Sequence, residues 1–198
     1  MDLDPKDTIE QARDAAEKSS RLNMTVAVTV ALLSTFMGIC KVKDDNIVQA
    51  MQQAQANKLD HWAFYQARNI REEVAKSTLL QLQLSAATAP EAARANYGQA
   101  ITRYQQLVAE QEAKKDELRA QATQDQKEYD ASNFRDDQFD LSDAFLAITV
   151  ALLAVTSLTQ QRWLYRLSLF PAAFGVAMGL AGLFGWPIHP NWLTALLS

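Results

Sequence analysis

Side chains suited to metal, redox or catalytic chemistry are scarce in this sequence. The single cysteine excludes an internal disulfide, and neither His61 nor His189 has a second histidine, cysteine or carboxylate at metal-ligand spacing. Phosphate-binding glycine loops, nucleophile elbows and paired catalytic motifs are also missing. The sequence therefore predicts a protein that is not an enzyme, with no catalytic residue, metal, cofactor or small-molecule substrate.

Clustered positive charge is missing as well. The formal net charge is -4, and no basic stripe with interleaved aromatic residues follows the chain, which argues against nucleic acid as a partner. Charged residues are absent from residues 22–40, 144–161 and 167–186. At about 1.5 Å per helical residue, each stretch approaches the roughly 30 Å hydrocarbon core of a bilayer. We predict transmembrane helices at residues 22–40, 141–161 and 164–186, with the lipid bilayer as a partner.

The two ends of the chain are predicted to lie at the membrane surface. Residues 1–21 are expected to form a short surface helix, because Pro5 suits a first turn and acidic residues precede basic ones. Acidic residues outnumber basic ones in this segment, so we expect the first span to be an anchor and not a cleaved signal sequence. Residues 187–198 are predicted to form an interfacial tail.

The segment between the first two spans, residues 41–140, is polar and has one helix-breaking signal, at Pro90. Apolar side chains recur at helical spacing on both sides of that break. Upstream they are Leu59, Ala63, Ala67, Ile70 and Val74. Downstream they are Tyr97, Ile101, Tyr104, Val108, Leu118, Ala122 and Tyr129, with Gln111, Lys115 and Asp125 as polar interruptions. The pattern predicts an all-α membrane protein in which a long antiparallel, coiled-coil-like hairpin is inserted between the first and second spans.

The pentapeptide TVALL occurs twice, at residues 29–33 and 149–153. Each copy lies within a run of small residues spaced four and three apart, which places the run on one helical face. The first small-residue face comprises Ala27, Ala31, Ser34 and Gly38, and the second comprises Ala147, Ala151 and Ala154. Small residues let helix backbones approach closely in lipid, so we predict that the two faces pack neighbouring helices together. Duplication of an ancestral segment is an alternative explanation of the repeat.

The third span contains the sequence GVAMG, in which Gly175 and Gly179 form a GxxxG motif. This motif has two uses in membranes. It can dock the third helix on the other two, or it can join two copies of the chain. The sequence leaves both uses open.

Three aspartates precede the second span in the sequence FRDDQFDLSD. Asp136, Asp140 and Asp143 are spaced four and three apart and therefore share one helical face. In a hairpin this aspartate face lies opposite Lys41 and Lys43, so local charge pairing is the simpler interpretation. In a ring of identical chains, the same face would form carboxylate rings that attract cations.

An aromatic cluster, His61, Trp62 and Tyr65, lies within the sequence HWAFYQ. Aromatic residues at helical spacing favour a coiled-coil core. A face that docks a partner protein is the alternative.

Basic residues flank the predicted spans unequally. Lys18 and Arg21 precede the first span, and Arg162 and Arg166 lie in the link between the second and third. With three crossings, all four fall on the same side of the membrane. The positive-inside rule then predicts a cytoplasmic N-terminus and a periplasmic hairpin.

The stretch KVKDDNIVQAMQQAQANKLDHWAFYQARNIREE, with the span before it and the two spans after the hairpin, resembles a bacterial family of three-span inner-membrane proteins known only as a domain of unknown function. The resemblance covers nearly the whole chain. It implies a bacterial inner-membrane protein with the order span, hairpin, span, span. It implies no activity, substrate or catalytic residue.

These features predict a non-enzymatic structural or interaction protein that forms homo-oligomers or serves other membrane proteins as an accessory subunit. The first alternative is a homo-oligomeric cation channel or transporter with an aspartate-lined vestibule. The second is a sensor whose hairpin detects an external signal.

Overall fold

The computed structural model describes residues 5–188 and 190, and within them every regular element is an α-helix. The helices are α1 (Pro5–Thr88), α2 (Glu91–Thr159) and α3 (Arg162–Phe184). The predicted all-α class is confirmed. The surface helix, the first span and the first arm of the predicted hairpin all belong to the single helix α1. Of the predicted tail, residues 189 and 191–198 lie outside the described residues.

The breaks between helices follow from local backbone chemistry. Pro90 separates α1 from α2, because proline cannot donate to the helix ladder and disfavours helical geometry in the residue before it. Gln160 separates α2 from α3 with a φ of 56°, in the left-handed region. Gly185 ends α3 with a φ of 68°, and the amide of Trp186 then donates to the carbonyl oxygen of Ala181 at 2.9 Å.

Each helix contains a stretch that is long and apolar enough to cross a membrane. The chain forms two compact units. We call residues 1–49 with 132–198 the three-helix unit, and Ala50–Ala131 the two-helix unit.

In the three-helix unit, α2 buries a side chain at nearly every turn. The buried residues are Gln138, Phe139, Leu141, Ser142, Leu146, Thr149, Leu153 and Thr156. Met178 of α3 packs against Leu141, with Phe145 and Phe174 beside them. The rings of Phe145 and Phe174 lie 4.4 Å apart between centroids. This apolar cluster joins α2 to α3.

In the two-helix unit, the buried side of α2 is the predicted one. The predicted apolar residues from Tyr97 to Tyr129 are buried or partly buried, and so are the three polar interruptions. The predicted stripe on α1 is wrong, because Leu59, Ile70 and Val74 are each more than 60% exposed. The residues of α1 that turn inward are Ala54, Lys58, His61, Tyr65, Arg68, Glu72 and Ala75.

Polar pairing accounts for the rotation of α1 away from the predicted stripe. Lys58 Nζ donates to Gln126 at 2.6 Å, and Arg68 Nη1 donates to Gln111 at 3.0 Å. The inward face of α2 carries charged and amide groups that need partners, and an unpaired buried polar group is costly. A two-helix interface has room for one stripe from each helix. The polar stripe of α1 occupies it and the apolar stripe faces outward.

Candidate functional site

The two small-residue faces are exposed in the three-helix unit. This holds for every member of the first face, Ala27, Ala31, Ser34 and Gly38, and of the second, Ala147, Ala151 and Ala154. A β-carbon on Gly38 would meet no atom within 4 Å. No other described part of the chain covers either face, so the two faces do not pack against each other in this structure. Their role in helix association stays a prediction.

Larger side chains and hydroxyl groups make the contacts between helices instead. Leu146, Thr149, Leu153 and Thr156 are all fully buried. Each threonine hydroxyl donates at 2.8 Å to the carbonyl oxygen four residues earlier in α2, so its burial leaves no donor unsatisfied. Bulky side chains gain more dispersion contacts in such an interface than alanine does, which explains why they face inward.

The glycines of α3 are used inside the chain. A β-carbon on Gly175 would lie 2.8 Å from Leu146 Cγ. One on Gly179 would lie 2.7 Å from both Phe36 Cε1 and Ser142 Oγ. Of the two uses that the sequence left open for this motif, docking of α3 on α1 and α2 is the one observed. The missing side chains are what permit the close approach.

Two polar side chains of α2 hold the C-terminal end of α3, and the sequence analysis missed both. Arg135 donates from Nη2 and Nε to the carbonyl oxygen of Gly182, at 2.9 and 3.2 Å. Gln138 Nε2 donates to the carbonyl oxygens of Trp186 and Ile188, at 2.8 and 2.6 Å. Gly182 lies in the last turn of α3, whose carbonyls have no partner in the helix itself, and Trp186 and Ile188 follow the helix. These side chains therefore satisfy carbonyl groups that would otherwise need water.

The aspartate face is divided between the interior and the surface. Asp140 and Asp143 are exposed, whereas Asp136 is partly buried. Within residues 5–188 no ion pair of 4 Å or less joins this face to Lys41 or Lys43. Lys41 does act on Asp140 through its charge, which opposes the partial desolvation and the neighbouring carboxylates that raise the pKa of that carboxyl, so the predicted charge pairing stays a prediction.

Lys41 has closer partners on its own helix. Its Nζ atom lies 2.9 Å from Asp44 Oδ2 and 3.3 Å from Asp45 Oδ1. The hydrogen bond to Asp44 is the main reason that the pKa of Lys41 is raised. Carboxylates three and four residues further along a helix are natural partners for a lysine, so α1 neutralises this charge locally.

Asp44 is a further site residue that the sequence analysis missed. It is 5% exposed, and its Oδ1 atom receives no hydrogen bond from any donor among the described residues. The Asp136 carboxyl lies within hydrogen-bonding reach of it. Burial, followed by this contact, raises the pKa of Asp136 to about 7. Two ionised carboxyl groups this close repel each other, so the contact with Asp44 favours the protonated form of Asp136.

The aromatic cluster is also divided, within the two-helix unit. His61 and Tyr65 are partly buried, and His61 Nδ1 lies 2.6 Å from Asp125 Oδ2. Trp62 is 38% exposed and meets the Tyr65 ring edge to face, with 5.3 Å between centroids. His61 and Tyr65 therefore take the core positions that the favoured interpretation requires. Trp62 has the exposure that docking of a partner would need.

Glu72 lies at the centre of a charge network in the two-helix unit. Its side chain is 2% exposed, and its two oxygens bond to Lys76 at 2.6 Å and to Lys115 at 2.5 Å. These bonds, that to Lys115 first, lower the pKa of Glu72, and the same contact raises the pKa of Lys115. Lys115 also lies 6.0 Å from the centroid of the Tyr65 ring. The network joins α1 to α2 through a buried carboxylate.

We expect Lys115→Met to lower the melting temperature by roughly 5 °C, because a buried carboxylate then loses its partner on the facing helix. Lys114→Met is the matched control, since Lys114 is half-exposed and its partner among the described residues is Glu110 of its own helix. Thermal unfolding followed by circular dichroism compares the two. Equal losses in both variants would contradict a special role for the Glu72–Lys115 bond.

The geometry defines an all-helical protein with three helices long and apolar enough to cross a membrane, two exposed small-residue faces, and a buried Asp44 beside a partly buried Asp136. The chain belongs to the family described as Domain of unknown function (DUF4337), which matches residues 22–185. No curated protein and no solved structure matches it.

Proposed function

We propose that this is a non-enzymatic protein of the bacterial inner membrane that assembles with copies of itself, or joins other membrane proteins as an accessory subunit. The observation that carries the proposal is the exposure of both small-residue faces. Close packing of small residues is a main source of helix association in lipid, where burial of apolar surface gives no driving force. The third small-residue motif, Gly175 and Gly179, already packs against other helices of the same chain.

The transmembrane arrangement is part of the same proposal. Three helices have the length and composition to cross a bilayer, which supports spans at residues 22–40, 141–161 and 164–186. Within the two-helix unit, residues further along α1 contact residues earlier in α2. Lys58 pairs with Gln126, and the later Glu72 pairs with the earlier Lys115. Those contacts support an antiparallel hairpin. The basic residues that precede the first span, Lys18 and Arg21, and those in the link between the second and third, Arg162 and Arg166, favour a cytoplasmic N-terminus and a periplasmic hairpin.

The decisive variant is the double substitution Ala31→Leu with Ala151→Leu, one on each small-residue face. We expect it to reduce the number of chains in the particle released by mild detergent, because two added isobutyl groups keep the helix backbones apart. Native mass spectrometry measures the number of chains directly. The double substitution Val28→Leu with Ile148→Leu is the matched control, since both residues are exposed on the same helices but off the small-residue faces.

Two results would refute the assembly. One is a wild-type particle that contains a single chain and no other subunit. The other is an unchanged particle after the alanine substitutions. Foreign subunits that are lost only from the alanine variant would support the accessory-subunit form of the proposal.

The cation channel or transporter stays a second proposal, carried by the exposed carboxylates Asp140 and Asp143. Asp136, the third residue of the aspartate face, is partly buried beside Asp44, so it would be less accessible to a cation in the vestibule than Asp140 and Asp143. Cation flux into liposomes that contain the purified protein tests this function. Flux that the double substitution Asp140→Asn with Asp143→Asn abolishes would support it, and no flux from the wild type would end it.

A further inference from the structure

A cavity lined by basic side chains lies at one end of the three-helix unit. It has a volume of about 250 Å³, and its charged lining residues are Lys18 and Arg21 from α1 with Arg162 and Arg166 from α3. Tyr165 also lines it. No acidic residue is among the lining residues. Four cations from segments distant in sequence thus surround one space.

Specific contacts bring these segments together. Ser19 Oγ donates to Gln160 Oε1 at 2.9 Å, and Gln160 Nε2 donates to Asn23 Oδ1 at 2.8 Å. The hydroxyl groups of Thr29 and Tyr165 lie 3.2 Å apart. The link before α3 and its first turn are therefore fastened to α1. The cations are held near one another by the fold and do not meet by chance on a surface.

Of the four cations, Arg21 alone has an ion-pair partner among the side chains that the structure describes. Arg21 forms an ion pair with Glu17, at 2.6 Å, in which both side chains are mostly exposed. Among the residues whose side chains the structure describes, Lys18, Arg162 and Arg166 form no ion pair. Asp14 and Glu17 line a neighbouring cavity of about 320 Å³ together with Lys18, Arg21 and Arg162, so two carboxylates offset part of the charge of the four cations. An anion bound in the basic cavity would balance the positive charge that these carboxylates leave uncompensated.

The start of α3 adds to this field. Gln161 precedes the helix in an extended conformation, no side chain caps the helix, and its first turn contains no acidic residue. The positive end of the helix dipole is therefore uncompensated next to Arg162. Backbone amides at such a position favour anions and reinforce the lysine and arginine side chains.

The position of the cavity along the helices indicates which class of anion it binds. Its residues immediately precede the first apolar segment and begin the third, so in the proposed membrane arrangement they lie at the level of the lipid headgroups. Trp163, which is 60% exposed, stands beside them, as tryptophan does at membrane interfaces. Basic pockets between helices on the cytoplasmic side are suited to phosphate-bearing headgroups, and arginine matches phosphate geometry well.

We propose that this basic cavity binds a phosphate group, supplied by the headgroup of an anionic phospholipid. The inference rests on the proposed membrane insertion and is independent of the proposed assembly. Free phosphate shares the same chemistry and is the other source of the ligand. The four cations serve as a binding site, and no covalent step is involved.

The test uses the full chain in a neutral detergent and measures retained lipid by native mass spectrometry. The arms are phosphatidylglycerol, phosphatidylcholine and inorganic phosphate. We expect phosphatidylglycerol to bind the wild type at least tenfold more tightly than phosphatidylcholine does, and the double substitution Arg162→Gln with Arg166→Gln to weaken that binding at least tenfold. The double substitution Arg103→Gln with Arg119→Gln removes the same charge from exposed positions of the two-helix unit and is expected to bind like the wild type.

Equal retention of the two lipids by the wild type would overturn the inference, and so would unchanged binding in the Arg162, Arg166 variant. Inorganic phosphate that binds as tightly as the lipid would keep the cavity and reject the lipid source. The same spectra report the number of chains. A single chain that retains phosphatidylglycerol would support this site while refuting the proposed assembly, so the two failures are distinguishable.

Discussion

Gly175→Val is expected to cost about 3 kcal/mol of stability in the three-helix unit, the largest effect of any single substitution considered. Its β-carbon would lie 2.8 Å from Leu146 Cγ and 3.2 Å from the Leu146 backbone nitrogen. Leu146 is fully buried, and a branch carbon and a backbone atom cannot swing aside as the tip of a flexible side chain does. Overpacking of this kind typically costs about 1–3 kcal/mol, and valine adds two further methyl groups to the clash.

Gly98→Val is the matched control for that substitution. Gly98 lies within α2 in the two-helix unit, and a β-carbon there would meet nothing within 4 Å. Valine also has a slightly better helix propensity than glycine, so a small gain or no change is expected. Thermal unfolding in detergent measures both variants. A melting temperature that is equally unaffected in both would show that α3 does not dock through Gly175.

Raising the pH from about 4 to about 7 is expected to destabilise the three-helix unit through Asp136. The ordinary pKa of this carboxyl is 3.8, and in the folded chain it is raised to about 7. Between those values the folded state holds a proton that the unfolded state has released. The free energy of unfolding therefore falls as pH rises, by up to about 1.4 kcal/mol per pH unit, and levels off above the folded pKa.

Asp136→Asn should remove most of this dependence, because an amide resembles the protonated carboxyl and never ionises. The variant is expected to be more stable than the wild type at pH 8 and to match it more closely at pH 4. A smaller slope should remain from Asp140, whose pKa is also raised, by partial desolvation and by the nearby charges of Asp44 and Asp137. Asp143→Asn, which alters an exposed carboxylate of the same helix, is the control and should keep the wild-type slope. Parallel pH profiles for wild type and Asp136→Asn would contradict the raised pKa of Asp136.

Sequence periodicity predicted the helices and the break at Pro90, because helix-breaking and apolar composition act locally. It also predicted the inward side of α2 in the two-helix unit. It failed for α1 of that unit, where Leu59, Ile70 and Val74 form the more hydrophobic stripe and yet face outward. The inward side of α1 was decided by which of its residues could pair with Gln111, Lys115 and Asp125. This pairing depends on the residues of both helices, whereas the periodicity of a sequence reports on one helix at a time.

In the candidate sites too, the sequence predicted what depends on one helix and not what depends on contacts between segments. The small-residue faces could be located from spacing alone, but spacing does not reveal whether a neighbour within the chain or another chain covers them. Asp44 could not be recognised as the partner of Asp136, since the two residues lie on different helices and ordinary acidic residues surround both in the sequence. The spacing did contain one usable signal. Asp44 follows Cys40 by four residues and precedes Ile47 by three, so it lies on the same helical face as these two residues, both of which are buried. The basic cavity depended likewise on contacts made by Gln160, which no motif marks.

The bond between Glu72 and Lys115 also restricts how this chain can change in length. If either arm moved by seven residues, Glu72 would meet Val108 or Ala122 in place of Lys115, and its buried carboxylate would lose the cation on the facing helix. A polar position within a helical interface fixes its alignment in this way. An insertion or deletion on the Pro90 side of this bond must therefore occur in both arms by the same amount. A hairpin tip that keeps this bond is expected to lengthen or shorten only in matched steps of whole heptads.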